Sequence, residues 1–332
     1  MQNPARRHHY VSQFYLKGFA ADLGRPVLYV VNLLDKKSYT TGTTALAVEN
    51  DFHTIQVDGK PPDAIEKALA QVEAAVKGAL DSILASESLS KGEDRELLLY
   101  YISLLLVKSP FHRPKVDQLA DEIMTKIGKV QAADKAAWDA KMAQDKADGI
   151  YPADFDGESV RKAILEHEFD ISLTTGAHLD MELKFAMQLC PLLAQRGWNI
   201  LKAKDGGFIT SDRPVALFWD DYLKNDPIGL ALPGTRLLFP LSPSLAICGG
   251  LEFKDALLEL DAKRVAAMNG RTILNAGRQV FARDDKFEYY LPTNGGLKPG
   301  SELQSDAILN QKPAWRQTAE PDATDTQFPD RY

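Results

Sequence analysis

The run from Leu97 to Val107 reads Leu-Leu-Leu-Tyr-Tyr-Ile-Ser-Leu-Leu-Leu-Val, and Ser103 alone interrupts it. A stretch this apolar has no face to give to water, so it predicts a helix surrounded by protein on all sides. It falls well short of the roughly 20 residues that a membrane span requires. Glu93 and Asp94 place negative charge at its start, and Pro110 follows its end. If Leu105 is fully buried there, Leu105→Ala should cost about 2–5 kcal/mol. A helix of this kind needs neighbouring elements to cover it, and the sequence on either side supplies them.

Before it, the segment from about 8 to 57 is turn-rich and extended. Val27-Leu28-Tyr29-Val30-Val31 is a strand signal, Asp35-Lys36-Lys37 a turn, and Ser38 to Thr41 the return. A third strand is expected over Phe52 to Val57. The middle, about 62 to 195, is helical. Pro62 and Asp63 suit a first turn, and Ile65, Leu69, Val72, Val76, Leu80 and Ile83 recur at helical spacing. Val116, Leu119, Ile123, Ile127 and Val130 mark a third helix. Gln131 to Asp148 reads as its continuation, either a solvated helix or a mobile excursion. Two more helices follow near 159–173 and 177–195, with Pro191 expected to end or kink the second. The last third returns to strands at 198–203, 208–210, 215–219, 237–241, 245–248 and 278–283, with a helix at about 260–275.

Strands flanking a helical block give an α+β fold, with the N- and C-terminal strands forming a sheet and a central helical layer at about 62–195. Length over roughly 150 permits two domains. However, some 50 N-terminal residues cannot bury a core alone, so a single composite domain over 1–311 is expected. The polar segment 312–332 is expected to be a poorly ordered tail.

The net charge of −7 argues against broad nucleic-acid binding. Cys190 and Cys248 make no CxxC pair, which excludes a thiolate zinc site and suits two reduced thiols in a cytosol. The polar, basic start Met1–Tyr10 does not read as a signal peptide, so a soluble cytoplasmic protein without a membrane partner is expected.

Three polar clusters stand out. His8-His9 lead into a short helix, Gln13–Lys17, that Ser12 should cap and Gly18 should stop. Imidazoles there suit proton transfer or metal ligation, although two histidines near a terminus are often merely exposed. Thr210-Ser211-Asp212-Arg213-Pro214 puts a carboxylate just past a buried strand, where it could act as a base, ligate a metal, orient a histidine, or simply bond the turn backbone. Lys108-Ser109-Pro110-Phe111-His112-Arg113 puts two cations after the buried helix, either complementing its dipole or holding an anion. His8, His9 and Asp212 are the catalytic candidates, and Gln13, Lys108, Arg113, Ser211 and Arg213 the binding candidates. Glu166-His167-Glu168 is not a HExxH zinc motif, and His178 with Glu182 reads as an exposed polar pair. There is no Walker loop, GxGxxG or GxSxG element.

Together the clusters resemble a bacterial family of unknown function whose members open on His-His-Tyr-Val-Pro-Gln-Phe-Tyr-Leu. Here the opening is His8-His9-Tyr10-Val11-Ser12-Gln13-Phe14-Tyr15-Leu16, with Ser12 for the proline. Lys108–Arg113, Trp198, Ile209–Pro214, Phe239-Pro240-Leu241-Ser242-Pro243 and Asn269 are similar to further family segments, with Arg213 standing for an asparagine. The resemblance implies relatives, and no activity. Three accounts follow from the residues. One is a His/Asp-based or metal-assisted hydrolase of phosphoester-type substrates, with a divalent metal as its conceivable cofactor. The second is a ligand-binding or sensing module for a small anionic ligand, of the kind used in bacterial defence or stress. The third is a structural tie between the N-terminus and the sheet. On the first two, His9 and Asp212 share one polar cleft with Lys108 or Arg113 at its rim.

Overall fold

The computed structural model describes residues 7–50, 52, 64–221, 224, 226–291 and 296–310. The expected strand 52–57 beyond Phe52, the Pro62-Asp63 helix start and the 312–332 tail lie outside the described residues. The chain separates into two compact units, one built from the residues up to Ser109 and from Leu179 onward, the other from Pro110–His178.

The first unit is α+β, as its sequence pattern requires. β1 (Arg7–His9) pairs antiparallel with β4 (Val48–Asn50), and the helix α1 (Gln13–Lys17) follows β1. The hairpin β2 (Val27–Asn32) and β3 (Lys37–Gly42) joins β6 (Thr210–Ser211) and β11 (Gln279–Ala282) in one sheet of order β3-β2-β11-β6. The N-terminal and C-terminal strands therefore share a sheet. The second sheet has the order β10-β5-β9-β8-β7, from β10 (Ala256–Leu260), β5 (Gly197–Ala203), β9 (Leu245–Gly250), β8 (Thr235–Pro240) and β7 (Ala216–Trp219). Among the described residues its only parallel pairing is β10 on β5. β12 (Glu288–Tyr290) and β13 (Leu297–Pro299) make a small separate ribbon.

Helix α8 (Ala262–Asn275) serves two cores. Ile273 packs with Val31, Ile209, Val280 and Tyr289, while Val265 packs with Leu201, Phe208, Ala216 and Leu238. At Gly270 the backbone of Tyr290 comes so close that an added Cβ would stand 2.0 Å from its carbonyl oxygen, so only glycine fits.

Two helices complete the buried layer, α2 (Ala64–Ser86) and α3 (Glu93–Val107). Leu98, Leu99, Tyr101, Ile102, Ser103 and Leu104 of α3 are buried, whereas Leu97, Tyr100, Leu106 and Val107 are half-buried, so the helix is not enclosed on every side as the apolar run suggests. Leu105 is only half-buried, so the full cavity penalty belongs to a neighbour. Ile102→Ala, at 0% exposure, is expected to lower stability by about 2–5 kcal/mol in a denaturant melt. A loss below about 0.5 kcal/mol would make α3 peripheral.

The second unit consists of α4 (Arg113–Ala133), α5 (Lys135–Ala147), α6 (Gly157–Glu166) and the first residues of α7 (Thr175–Ala194). The predicted helical spacing of α4 is present, but Leu119, Ile123, Ile127 and Val130 are exposed. Pro191 does not end α7, which runs on to Ala194. The missing N–H would have bonded Met187, an exposed residue whose carbonyl water can serve. His178 and Glu182 are buried rather than exposed, and His178 Nε2 lies 2.9 Å from Asp117. No helix among the described residues is long and apolar enough to cross a membrane.

Candidate functional site

The opening motif is mostly a plug. Val11, Tyr15 and Leu16 are almost fully buried, and the Tyr15 ring stacks on Phe239 at 5.1 Å. The Tyr15 hydroxyl lies 2.7 Å from both the Pro240 carbonyl and Thr210 Oγ1. A carbonyl only accepts, so Tyr15 donates to Pro240 and must accept from Thr210. One phenol thereby joins three of the segments singled out in the sequence. Asn269 joins more of them, accepting from Ile209 N and donating to the carbonyls of Gly207 and Glu288. Tyr15→Phe leaves two buried polar groups short of a partner. It should lower stability by about 1–3 kcal/mol, read in the same denaturant melt.

Ser12 precedes α1 but makes no side-chain cap bond; its backbone carbonyl takes the amides of Tyr15 and Leu16. The hydroxyl instead donates to Glu73 Oε1 at 2.6 Å, a stronger, charge-assisted partner on α2. Gly18 ends the helix in right-handed conformation, so its freedom to adopt positive φ is not used.

His8 is buried in β1, opposite Glu49. His9 is half-buried, with Nδ1 3.0 Å from the Leu46 carbonyl. Nδ1 must therefore carry the hydrogen, which leaves Nε2 as the basic nitrogen of the neutral ring. Burial pushes the His9 pKa down, with Arg7 and Lys108 acting in the same direction and the Leu46 bond and Glu73 opposing them. His9 is therefore neutral at neutral pH.

Glu73 and Lys108 also line a small cavity beside this segment, with Tyr10, Ser12, Leu69, Val72, Tyr101, Leu104 and Leu105. Its interior is about 20 Å³, room for one water or the tip of a ligand. Tyr101 is 3% exposed, and its hydroxyl makes no hydrogen bond of good geometry among the described residues, although Ser12 lies close enough to act on it. Burial raises its pKa well beyond the usual phenol range, so it remains a donor.

Asp212 is used differently. It is 1% exposed, and its carboxylate accepts from the backbone amides of Gly277 at 2.7 Å, Arg278 at 2.6 Å and Gln279 at 3.1 Å. Burial pushes its pKa up while the three amides pull it down. Ser211 is fully buried, and its hydroxyl accepts from Arg213 N. Arg213 is half-buried, its pKa lowered by burial, and its carbonyl accepts from Asn275. Gln13 starts α1 and is half-buried. Arg113 starts α4 in the second unit. His9 and Lys108 thus share one electrostatic neighbourhood, and Asp212 influences Tyr10. Glu73 and Tyr101 were not singled out from the sequence. Glu73 sits among ordinary helix-surface positions, and Tyr101 inside the apolar run.

A family model described as a protein of unknown function (DUF4238) matches residues 7–286, a range that includes His8, Tyr15, Asp212 and Asn269. The chain belongs to the DUF4238 family. The family description attaches no reaction to the chain. No curated protein and no solved structure matches the chain. For this DUF4238 member, then, chemistry has to be argued from the side chains. The described geometry puts a cation, a carboxylate and a buried phenol around one small cavity, with the neutral His9 imidazole outside its lining but within electrostatic reach of Glu73 and Lys108.

Proposed function

We propose that the chain is a ligand-binding module whose N-terminal cavity takes the polar tip of a small anionic ligand. The observation that carries this reading is the buried Tyr101 hydroxyl at the cavity wall, which makes no hydrogen bond of good geometry while the hydroxyl of nearby Ser12 donates to Glu73; a donor left unsatisfied in the interior costs about 1–3 kcal/mol. In this reading Tyr101 donates to the ligand and Lys108 supplies positive charge. Glu73, held by Ser12, sets a limit on how much negative charge the cavity accepts. His9 relieves that limit by taking up a proton at Nε2.

The sign of the pH dependence follows. In the free protein the His9 pKa is lowered, and a bound anion raises it, so binding takes up a proton. Affinity should therefore rise as pH falls through the range in which His9 titrates. Formate is a suitable probe, because it stays ionised at every pH well above the ordinary carboxylate range. Titration calorimetry should show saturable formate binding that strengthens towards acid pH. Tyr101→Phe should weaken it about tenfold, the equivalent of one hydrogen bond to a charged group. His9→Asn keeps a donor for the Leu46 carbonyl and should flatten the pH dependence. Binding that ignores both substitutions would remove the proposal.

A second reading keeps the hydrolase, with His9 Nε2 as general base and a phosphoester as substrate. Only the neutral state of His9 favours it. Under this reading Asp212 is a positioning residue, because its carboxylate is already engaged by three amides. Turnover of a simple aryl phosphate that His9→Asn abolishes would favour hydrolysis over binding.

A further inference from the structure

We propose that Asp121, His167 and Asp170 form a divalent-metal site on the second unit. The proposal is independent of the N-terminal cavity and goes beyond it. Asp121 lies on α4, one helical turn after Asp117. His167 follows α6 directly and Asp170 lies in the extended segment beyond it. The three offer one ligand atom each, all within 4.8 Å of one another. Bonds of about 2.0–2.2 Å to nitrogen and oxygen donors place ligand atoms roughly 3–3.5 Å apart, so modest rotation of His167 and Asp170, both exposed, closes the set.

The set is oriented rather than casual. Asp121 Oδ1 accepts from Ile171 N at 2.9 Å, which fixes the carboxylate and turns Oδ2 towards His167 Nε2 at 3.2 Å. One turn earlier, Asp117 Oδ1 accepts from Leu173 N at 2.8 Å and lies 2.9 Å from His178 Nε2. The extended segment is thus fastened to α4 at two points, with His167 and Asp170 at one end of it. A ligating carboxylate whose second oxygen is held by a backbone amide is the kind of outer support that metal sites require. One imidazole and two carboxylates are a borderline-hard donor set suited to Mn²⁺, Fe²⁺ or Zn²⁺, with open positions left to water.

The test uses the full chain, stripped with a chelator and titrated with Mn²⁺ or Zn²⁺ alone. One equivalent should bind saturably, and Mn²⁺ should broaden the NMR signals of the His167 ring selectively. His167→Ala and Asp170→Asn change exposed side chains and should leave the fold intact, each lowering affinity by about tenfold or more. Asp121→Asn keeps an acceptor for the Ile171 amide and should weaken metal binding as well. No saturable binding, or binding that survives His167→Ala and Asp170→Asn unchanged, would overturn the site and leave an ordinary His167–Asp121 ion pair.

Discussion

Asp212→Ala is expected to destabilise the first unit by about 3–5 kcal/mol, because it takes from the buried amides of Gly277, Arg278 and Gln279 their shared charged acceptor. These amides lead into β11, the strand that joins β2 to β6, so the loss falls on the sheet shared by both ends of the chain. Asp212→Asn should recover part of the stability, since its single carbonyl oxygen can still accept while its amide nitrogen meets donors. A denaturant melt of the two variants separates a clasp from a reacting group. The clasp predicts a loss of stability in both, larger for alanine. A variant that melts like the wild type would instead release Asp212 for chemistry.

A comparable loss, about 3–5 kcal/mol, is expected for Arg196→Ala. Arg196 is 1% exposed, at the turn between α7 and β5. Its guanidinium donates to the carbonyls of Thr235 at 2.9 Å, Gly249 at 3.1 Å and Leu230 at 2.5 Å, and to the Thr235 hydroxyl at 2.8 Å. Burial lowers its pKa, and nearby Arg236 adds to the effect. The charge is therefore stabilised chiefly by carbonyl dipoles. Removing the fork strands several buried acceptors and opens a cavity at once. Arg196→Lys should recover only part of the loss, because an ammonium cannot reproduce the planar set of donors. A melt in which lysine and arginine are equivalent would show that charge alone, not the fork, is required.

What could be read from the sequence follows from which interactions are local. α3 was legible because an apolar run of that length leaves no choice of environment, and β2 because β-branched and aromatic residues mark it. β10 was not, since Leu257 and Leu258 are exposed and nothing in Ala-Leu-Leu-Glu-Leu announces a parallel partner. The spacing of α4 gave a helix correctly but could not say that its apolar positions stay exposed. At the candidate site, His9 and Lys108 were visible as polar groups at element ends. The use of Asp212 depends on amides 65 to 67 residues away, and Ser12 finds Glu73 at a separation of 61. No local pattern encodes either contact. Tyr101 was hidden because its ring suits the core and only its hydroxyl does not.

In the proposed reading the buried Tyr101 hydroxyl donates to a bound anion. A crystal structure of the full chain grown with formate tests it most directly. A carboxylate is expected in the cavity, with one oxygen about 2.7–3.2 Å from Tyr101 Oη and Lys108 facing it. Formate bound only elsewhere, with a water or nothing against Tyr101, would contradict it.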